Sequence, residues 1–491
     1  MLAENRETDD SPAIHPATHS PNPYRQLARR RFSEPLLLLL IFVFGVWLWD
    51  SHFGGTAPPD DPEEAWQLAL RKADRDLRVS DGTCHLPGWL RPVLGIDPPD
   101  VAISHAAASL EELRRILQRA EPHAHGRPQA GEPASERAMR DEGAYALGVL
   151  IALREDGNPA AFAFPQLGLP GPPPPEEILT RVIRGEEYWW DLPYLRALGL
   201  EEAEFAAQGI EARSQHLTTN AIRARGAVAA LAFGGLLFVP GTLTAFLRAG
   251  RPPRRPVNYA HRWTLNYGIG VFVLCTLAFL GFHLTFNYAL QQVARPSADG
   301  SLLPMPLFIA LDGLTRFIPA FIALAFLFRR CRHAVSRLGL AGPLDGRMVL
   351  GCFAILQVID FGLRTILDRS GPPDPLGGLS SAEDGAWGLV FGVVSACLAA
   401  PLAEEIVFRG VLFRSLANRL RLPLAVGVSS FVFALVHFYP LTGLIAVGAV
   451  GVVCALSYAA SRTLLTAVVL HALYNAAIKI PEWIIYHAPL T

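Results

Sequence analysis

The sequence predicts an all-α polytopic membrane protein of about nine transmembrane helices with a mainly helical extracytoplasmic insert domain. Three observations predict it. Of 491 residues, 51% are hydrophobic and only 18% are charged, whereas an ordinary soluble domain carries about 25% charged residues. The apolar residues gather into segments close to the roughly 20 that a spanning helix needs. Arginine clusters then mark every second connection between those segments, as the retention of positive charge on the cytoplasmic side requires.

Taken in order, residues 1–34 form a polar cytoplasmic tail ending in Arg25, Arg29, Arg30 and Arg31. Residues 35–53 hold the runs Leu36 to Leu40 and Ile41 to Trp49 and form the first transmembrane helix or signal anchor. A cleaved signal peptide shares that pattern, but no A-x-A site follows it, and Trp49, Asp50, Ser51, His52 and Phe53 make a poor cleavage region. Residues 54–226 are long enough for one modest domain, punctuated by Pro58, Pro59, Pro170 and Pro172 to Pro175. Apolar spacing of three and four predicts helices in Glu63 to Leu77 and Leu110 to Ala120. The stretch from Gly148 to Phe164, broken by Glu155 to Pro159, reads either as a hairpin or as the end of a helix. This domain is either a solvated cap or a dock for substrate or partner.

Accessory spans follow within 227–385, near 227–247, 264–289, 305–328 and 348–367. The core, 386–491, holds four more, near 386–403, 423–439, 441–460 and 463–485. Arginines cluster at Arg248 to Arg262, Arg329 to Arg347 and Arg414 to Arg421, with Arg462 alone, while the intervening connections hold isolated residues such as Arg295 and Arg369. The expected topology therefore has the N-terminus inside, the C-terminus outside and residues 54–226 extracytoplasmic, in a plasma (inner) membrane.

A formal net charge of −1 leaves no basic field for nucleic acid. The six cysteines, Cys84, Cys275, Cys331, Cys352, Cys397 and Cys454, contain no CxxC pair, and five lie in apolar stretches. Neither a disulfide framework nor a cysteine-based zinc site is expected.

Chemistry begins at Glu404, in the run Pro401 to Gly410 that continues an apolar segment. An intramembrane carboxylate needs pairing or wetting, so it is a functional candidate by default. Glu405 and Arg409 stand i,i+4, the spacing that brings helical side chains together. Glu404 is rotated by about 100° from Glu405. The expectation is that Arg409 neutralises Glu405 and leaves Glu404 free to face a cavity as a general base. Two further i,i+4 pairs follow in the next apolar helices, Phe433 with His437 and His471 with Asn475. His437 is placed to activate a water beside Glu404, and His471 and Asn475 to donate to a developing oxyanion. One difficulty follows from counting about 1.5 Å per residue along straight helices. Glu404 then falls toward the cytoplasmic end of its span and His437 toward the opposite end of the next. They meet only through tilt, a kink near Pro401, or a short helix starting deep after Pro423.

The three motifs EEIVFRG, FALVH and HALYN, in that order, resemble the type II CAAX protease family, also called the CAAX protease and bacteriocin-processing or ABI family. The resemblance covers roughly residues 386 to 480. It implies an intramembrane endopeptidase of mostly helical fold. Carried over residue by residue, Glu404 and His437 activate the attacking water, His471 and Asn475 form the oxyanion site, and Glu405 and Arg409 hold the geometry. Members are described both as glutamate-type and as metalloproteases, and Glu404, His437 and His471 are the candidate ligands of an open zinc site. There is no HExxH motif, and the metal-free reading is the one favoured. The expected partners are the lipid bilayer and a membrane-anchored protein substrate carrying a sorting or anchoring signal.

Two other function classes remain open. A non-catalytic scaffold, immunity factor or chaperone would keep the pocket to bind a partner helix. An ion-coupled transporter would use Asp312, Arg316, Asp360, Arg364 and His283, of which Asp312 with Arg316 and Asp360 with Arg364 otherwise read as intrahelical salt bridges.

Overall fold

The computed structural model describes residue 45 and residues 61–489, except 121–133, 156, 163, 165–170, 200, 251–262, 294–310, 312, 329–332, 367–375, 377, 438 and 440. The expected tail and first span, 1–53, lie outside the described residues apart from Gly45. All regular structure among the described residues is helical.

An outer domain opens with α1 (Pro62–Gly82), α2 (Pro99–Ala120) and α3 (Ala134–Arg154). The carboxylate of Asp61 accepts from the Glu63 and Glu64 amides, and a proline opens the first turn, so α1 starts where its free N–H groups find an acceptor. The segment from Gly148 onward proves to be the end of α3 followed by a single turn at Pro159–Ala161, so the helix-end alternative holds. Two short helices, α4 (Pro175–Arg184) and α5 (Asp191–Leu198), each stop at a left-handed glycine, Gly185 and Gly199. Trp66, Leu70, Tyr145, Leu150, Trp190 and Leu195 fill this domain's core. Buried among them, Arg78 donates to Asp74, to Ser214 and to the carbonyls of Glu187 and Ile210. The Asp191 carboxyl is also buried, and burial pushes it up to about 7 although Arg181 stands 3.3 Å away.

The long helix α6 (Glu201–Gly235) leaves the outer domain and joins the membrane helices without a break, continuing through a tight turn into α7 (Val239–Gly250). Then come α8 (Leu265–Val293), α9 (Phe317–Leu327), α10 (Gly346–Ile366), α11 (Gly385–Ala417), α12 (Leu422–Leu435), α13 (Leu441–Ser461) and α14 (Leu464–Tyr486). Among the described residues, six apolar stretches are long enough to cross a bilayer, while α9 and α12 are shorter. The protein is an all-α polytopic membrane protein. Large apolar side chains such as Phe233, Leu237, Phe321 and Leu398 point outward, as expected where hydrocarbon rather than water is the solvent.

Two features of the core position the site. Within α11, π-helical turns at Val394–Ala399 and Ile406–Phe413 flank the α-helical Ala400–Glu405. Such turns widen the backbone spacing and shift side chains off a straight helical register. The second feature is that α12 has only 14 residues, which is about 21 Å.

Candidate active site

Glu405 is fully buried and Arg409 is 1% exposed, so in an apolar bundle each requires the other. The Arg409 Nη1 donates to Glu405 Oε1 at 2.6 Å. Its Nη2 donates to the Gly451 carbonyl at 3.1 Å, and the guanidinium lies 4.3 Å from the Phe433 ring centroid. Gly451 must be glycine here, because a Cβ would meet that of Ser430 at 2.9 Å. The close crossing of α13 over α12 thus brings a carbonyl within reach of the arginine.

The same Glu405 oxygen lies 3.0 Å from His471 Nδ1. A carboxylate only accepts, so Nδ1 carries the proton, an assignment made from the partner. His437 is oriented in parallel fashion, with Nδ1 donating to the Phe433 carbonyl at 2.7 Å. Both imidazoles therefore turn Nε2 toward the remaining carboxylate. His437 Nε2 and His471 Nε2 each stand 3.9 Å from Glu404 Oε2. That separation is too long for a direct hydrogen bond and suits a water bridging the groups. The Phe433 ring meets both imidazoles edge-on, with centroids 4.8 Å and 5.8 Å away, and so fixes their spacing from the apolar side.

Two expectations require correction. Glu404 and His437 do not fall at opposite depths. The short α12 ends at Leu435, His437 follows in the next turn, and the π-helical turns of α11 take Glu404 off the straight-helix register. Nor is Glu404 a free carboxylate. Its side chain is 22% exposed, and Arg316 Nη1, at the start of α9, stands 3.9 Å from Oε1. Pairing Arg316 with Asp312 on its own helix hid this contact from the sequence, and Asp312 itself lies outside the described residues.

Asn475, one turn beyond His471 on α14, donates to the Ala396 carbonyl at 2.7 Å. Ala396 lies in the first π-helical turn, where the regular i→i−4 spacing is interrupted. One amide hydrogen of Asn475 therefore braces α14 against α11. Of the six sequence-derived residues, Glu404, His437 and His471 meet around one gap, Glu405 and Arg409 stand behind His471, and Asn475 faces the π turn. Phe433, Gly451, Ala396 and Arg316 complete the arrangement; their contacts all come from chain crossings that spacing alone does not reveal. Asp360, named in the transporter alternative, accepts the Tyr474 hydroxyl at 3.0 Å and lies 3.9 Å from Arg364. The side chain of His283 lies outside the described set.

A closed zinc site with ligands about 2.1 Å from the metal brings ligand atoms to roughly 3.4 Å of one another. The contacts of Glu404 with the two histidines are wider, at 3.9 Å. Among the described residues, the trio with ligand atoms within 4.8 Å of one another is instead Glu383, Glu482 and His487. There, Lys479 Nζ stands 2.9 Å from each carboxylate. The Glu404 carboxylate thus stands about half an ångström farther from the two imidazole nitrogens than the ligand atoms around a bound zinc stand from one another.

No curated protein and no solved structure matches the chain. Residues 386–477 match the family model described as Type II CAAX prenyl endopeptidase Rce1-like. All six sequence-derived site residues lie inside that stretch, which is similar to the Rce1-like type II CAAX prenyl endopeptidase domain.

Proposed function

We propose that the protein hydrolyses a peptide bond of a membrane-anchored protein by direct attack of water, without a covalent or metal-bound intermediate. The observation that carries this reading is the placement of Glu404 Oε2 at 3.9 Å from both histidine Nε2 atoms. A water in that gap lies within reach of a carboxylate and an imidazole, the groups general base catalysis uses. Glu404 removes a proton from the water, and the resulting oxygen lone pair attacks the substrate carbonyl carbon. His437, held by the Phe433 carbonyl, orients that water. The carbonyl π electrons move to oxygen, and His471, when also protonated at Nε2, donates to the oxyanion. Glu405 supports the charge on His471 through Nδ1, while Arg409 prevents Glu405 from standing unpaired in the core. When the C–N bond breaks, Glu404 returns its proton to the departing nitrogen. The products are a carboxylic acid and an amine.

The geometry supports Asn475 as a brace between α14 and α11, with its second amide hydrogen available to the oxyanion. The reading further places residues 54–226 outside and the N-terminus inside a plasma (inner) membrane, with substrates bearing a sorting or anchoring signal.

The test compares membrane proteomes of cells with the native protein, with Glu404→Gln, with His437→Ala and without the protein. Loss of a general base or its partner typically lowers the rate by about 10²–10⁴-fold. The same new termini should disappear in all three deficient strains at unchanged protein levels. Native termini with Glu404→Gln would show that Glu404 is not the base and bring the scaffold reading forward. For purified protein, cleavage should persist after zinc chelation; its loss and recovery with added zinc would refute the metal-free step.

A further inference from the structure

Where α6, α10 and α14 pack together beside the outer domain, they flank an open cavity of about 500 Å³. This is within the 300–1,000 Å³ typical of small-molecule sites. Its lining is largely apolar, with Val228, Ala232 and the outward-facing Phe233 from α6, Ala354 and Phe361 from α10, and Ile478 from α14, so this part is open to hydrocarbon. Lys72, Arg225 and Arg364 line it as well. The carboxylate on the same lining, Glu482, is already held by Lys479 at 2.9 Å.

A second cavity, about 210 Å³, lies within the outer domain and shares Lys72, Arg225 and Tyr486 with the first. Its other lining groups include Asp76, Asp97, His105 and Ser109. An apolar chamber and a polar chamber thus meet at a lysine and an arginine. Their neighbour Gly95 fixes the arrangement. It adopts φ +65°, its carbonyl accepts from Arg225 Nη1 at 2.5 Å, and a Cβ at this position would meet Arg364 Nη1 at 2.8 Å. Two guanidinium groups therefore converge on one loop glycine. Lys72 keeps Asp76 at 3.0 Å and Arg364 keeps Asp360 at 3.9 Å, whereas the assigned contact of Arg225 is a neutral carbonyl.

We propose that this double cavity binds one glycerophospholipid, with an acyl chain between α6, α10 and α14, the phosphodiester at Lys72, Arg225 and Arg364, and the headgroup in the polar chamber. The three parts of the site match the three parts of that molecule in order. A fatty acid would leave the polar chamber unfilled, and a free phosphate would leave the apolar one unfilled. Two guanidiniums and an ammonium on one lining offer a phosphate matched, charged donors. Basic pockets between membrane helices recognise lipid headgroups for this reason. The site uses none of the catalytic side chains, so it stands independently of the proposed hydrolysis.

Native mass spectrometry of the full chain in detergent, delipidated and then titrated, tests the assignment. The probes are phosphatidylglycerol, phosphatidylethanolamine, a diacylglycerol of equal chain length, and inorganic phosphate. One tight phospholipid per chain is expected, with no comparable adduct of diacylglycerol or phosphate. Lys72→Gln with Arg225→Gln should weaken that adduct about thirty-fold, from the loss of two interfacial cations. Ala232→Trp, which fills the apolar chamber and keeps every charge, should abolish it. Arg364→Gln, at a half-exposed position, supplies a variant that does not threaten folding and should weaken binding several-fold. Equal binding of diacylglycerol would overturn the role of the phosphate. Unchanged phospholipid binding in both the charge and the tryptophan variants, shown folded by thermal melting, would overturn the site.

Discussion

Replacing Arg409 with methionine should show how much of the site rests on one buried ion pair. The substitution removes the 2.6 Å bond to Glu405, the 3.1 Å bond to the Gly451 carbonyl and the stacking over Phe433 at 4.3 Å. A hydrogen bond to a charged group contributes about 1.5–3 kcal/mol, and a desolvated cation–π contact adds about 2 kcal/mol or more. The larger effect is that Glu405, fully buried, loses its counterion. Breaking a buried pair from one side costs about 3–5 kcal/mol, or roughly 150- to 5,000-fold in the folding equilibrium. The informative variant is the double one, Glu405→Gln with Arg409→Met, which removes the orphaned charge and leaves an amide oxygen to accept from His471 Nδ1. It should be clearly more stable than the sum of the single losses, with a coupling of about 2 kcal/mol or more. Unfolding by SDS titration in mixed micelles measures all three proteins. Additivity within about 0.5 kcal/mol would refute the argument that an unpaired carboxylate is what destabilises the single variant. Cleavage should be lost in the double variant despite its recovered stability, because His471 then lacks the negative charge that supports its protonated form.

Arg316→Gln should change stability by less than about 1 kcal/mol, since its contact with Glu404 is partly exposed and spans 3.9 Å. It should nonetheless lower the cleavage rate several-fold; a rate equal to native would exclude Arg316 from the site. In the outer domain, burial raises the Asp191 carboxyl to about 7, so the folded state holds its proton more tightly than the unfolded chain. The stabilisation from that proton is complete below about pH 4, the unfolded value, and is lost as pH rises through about 7. Native protein should therefore lose melting temperature relative to Asp191→Asn between those limits; parallel pH profiles would contradict the assignment.

The polytopic helical class was legible because solvation dictates it. A chain with 18% charged residues and repeated apolar segments satisfies its backbone in a bilayer most directly through helices. The i,i+4 relation of Glu405 and Arg409 was equally legible, since both lie on one helix and spacing alone brings them together. What straight-helix geometry concealed was the π-helical register of α11 and the shortness of α12, and with them the meeting of Glu404 with His437. The contact of Arg316 with Glu404 was hidden for a related reason. Periodicity proposes partners on the same helix, whereas this carboxylate comes from α11. Phe433 was visible as the i−4 neighbour of His437, but its contact with Arg409 depends on the crossing of α11 and α12. The carbonyls of Gly451 and Ala396 have no side-chain signature at all, so their roles emerge only from packing.

The outer domain raises a question that deleting it cannot answer. Arg75 of α1 donates to the carbonyls of Ile485 and Ala488 at 2.8 Å and 2.7 Å, satisfying groups left free at the end of α14. Beside it, Tyr486 hydrogen-bonds Asp76, and Arg71 pairs with Asp384, which also holds His487 at 2.7 Å. The helix that carries His471 and Asn475 is thus anchored at its far end by the domain that is also the candidate substrate dock. Removing residues 55–220 would abolish docking and anchoring together, so lost activity would favour neither. Arg75→Ala separates them, because it releases the end of α14 while leaving the outer face of the domain intact. An anchored catalytic helix predicts a fall in kcat with little change in KM, for the natural substrate and for a short membrane peptide alike. A displacement of about 1 Å at His471 suffices for a loss approaching 10²-fold. A rise in KM confined to the natural substrate would identify the domain as a dock, and unchanged kinetics with both substrates would show that the hold of α1 on α14 does not reach the site.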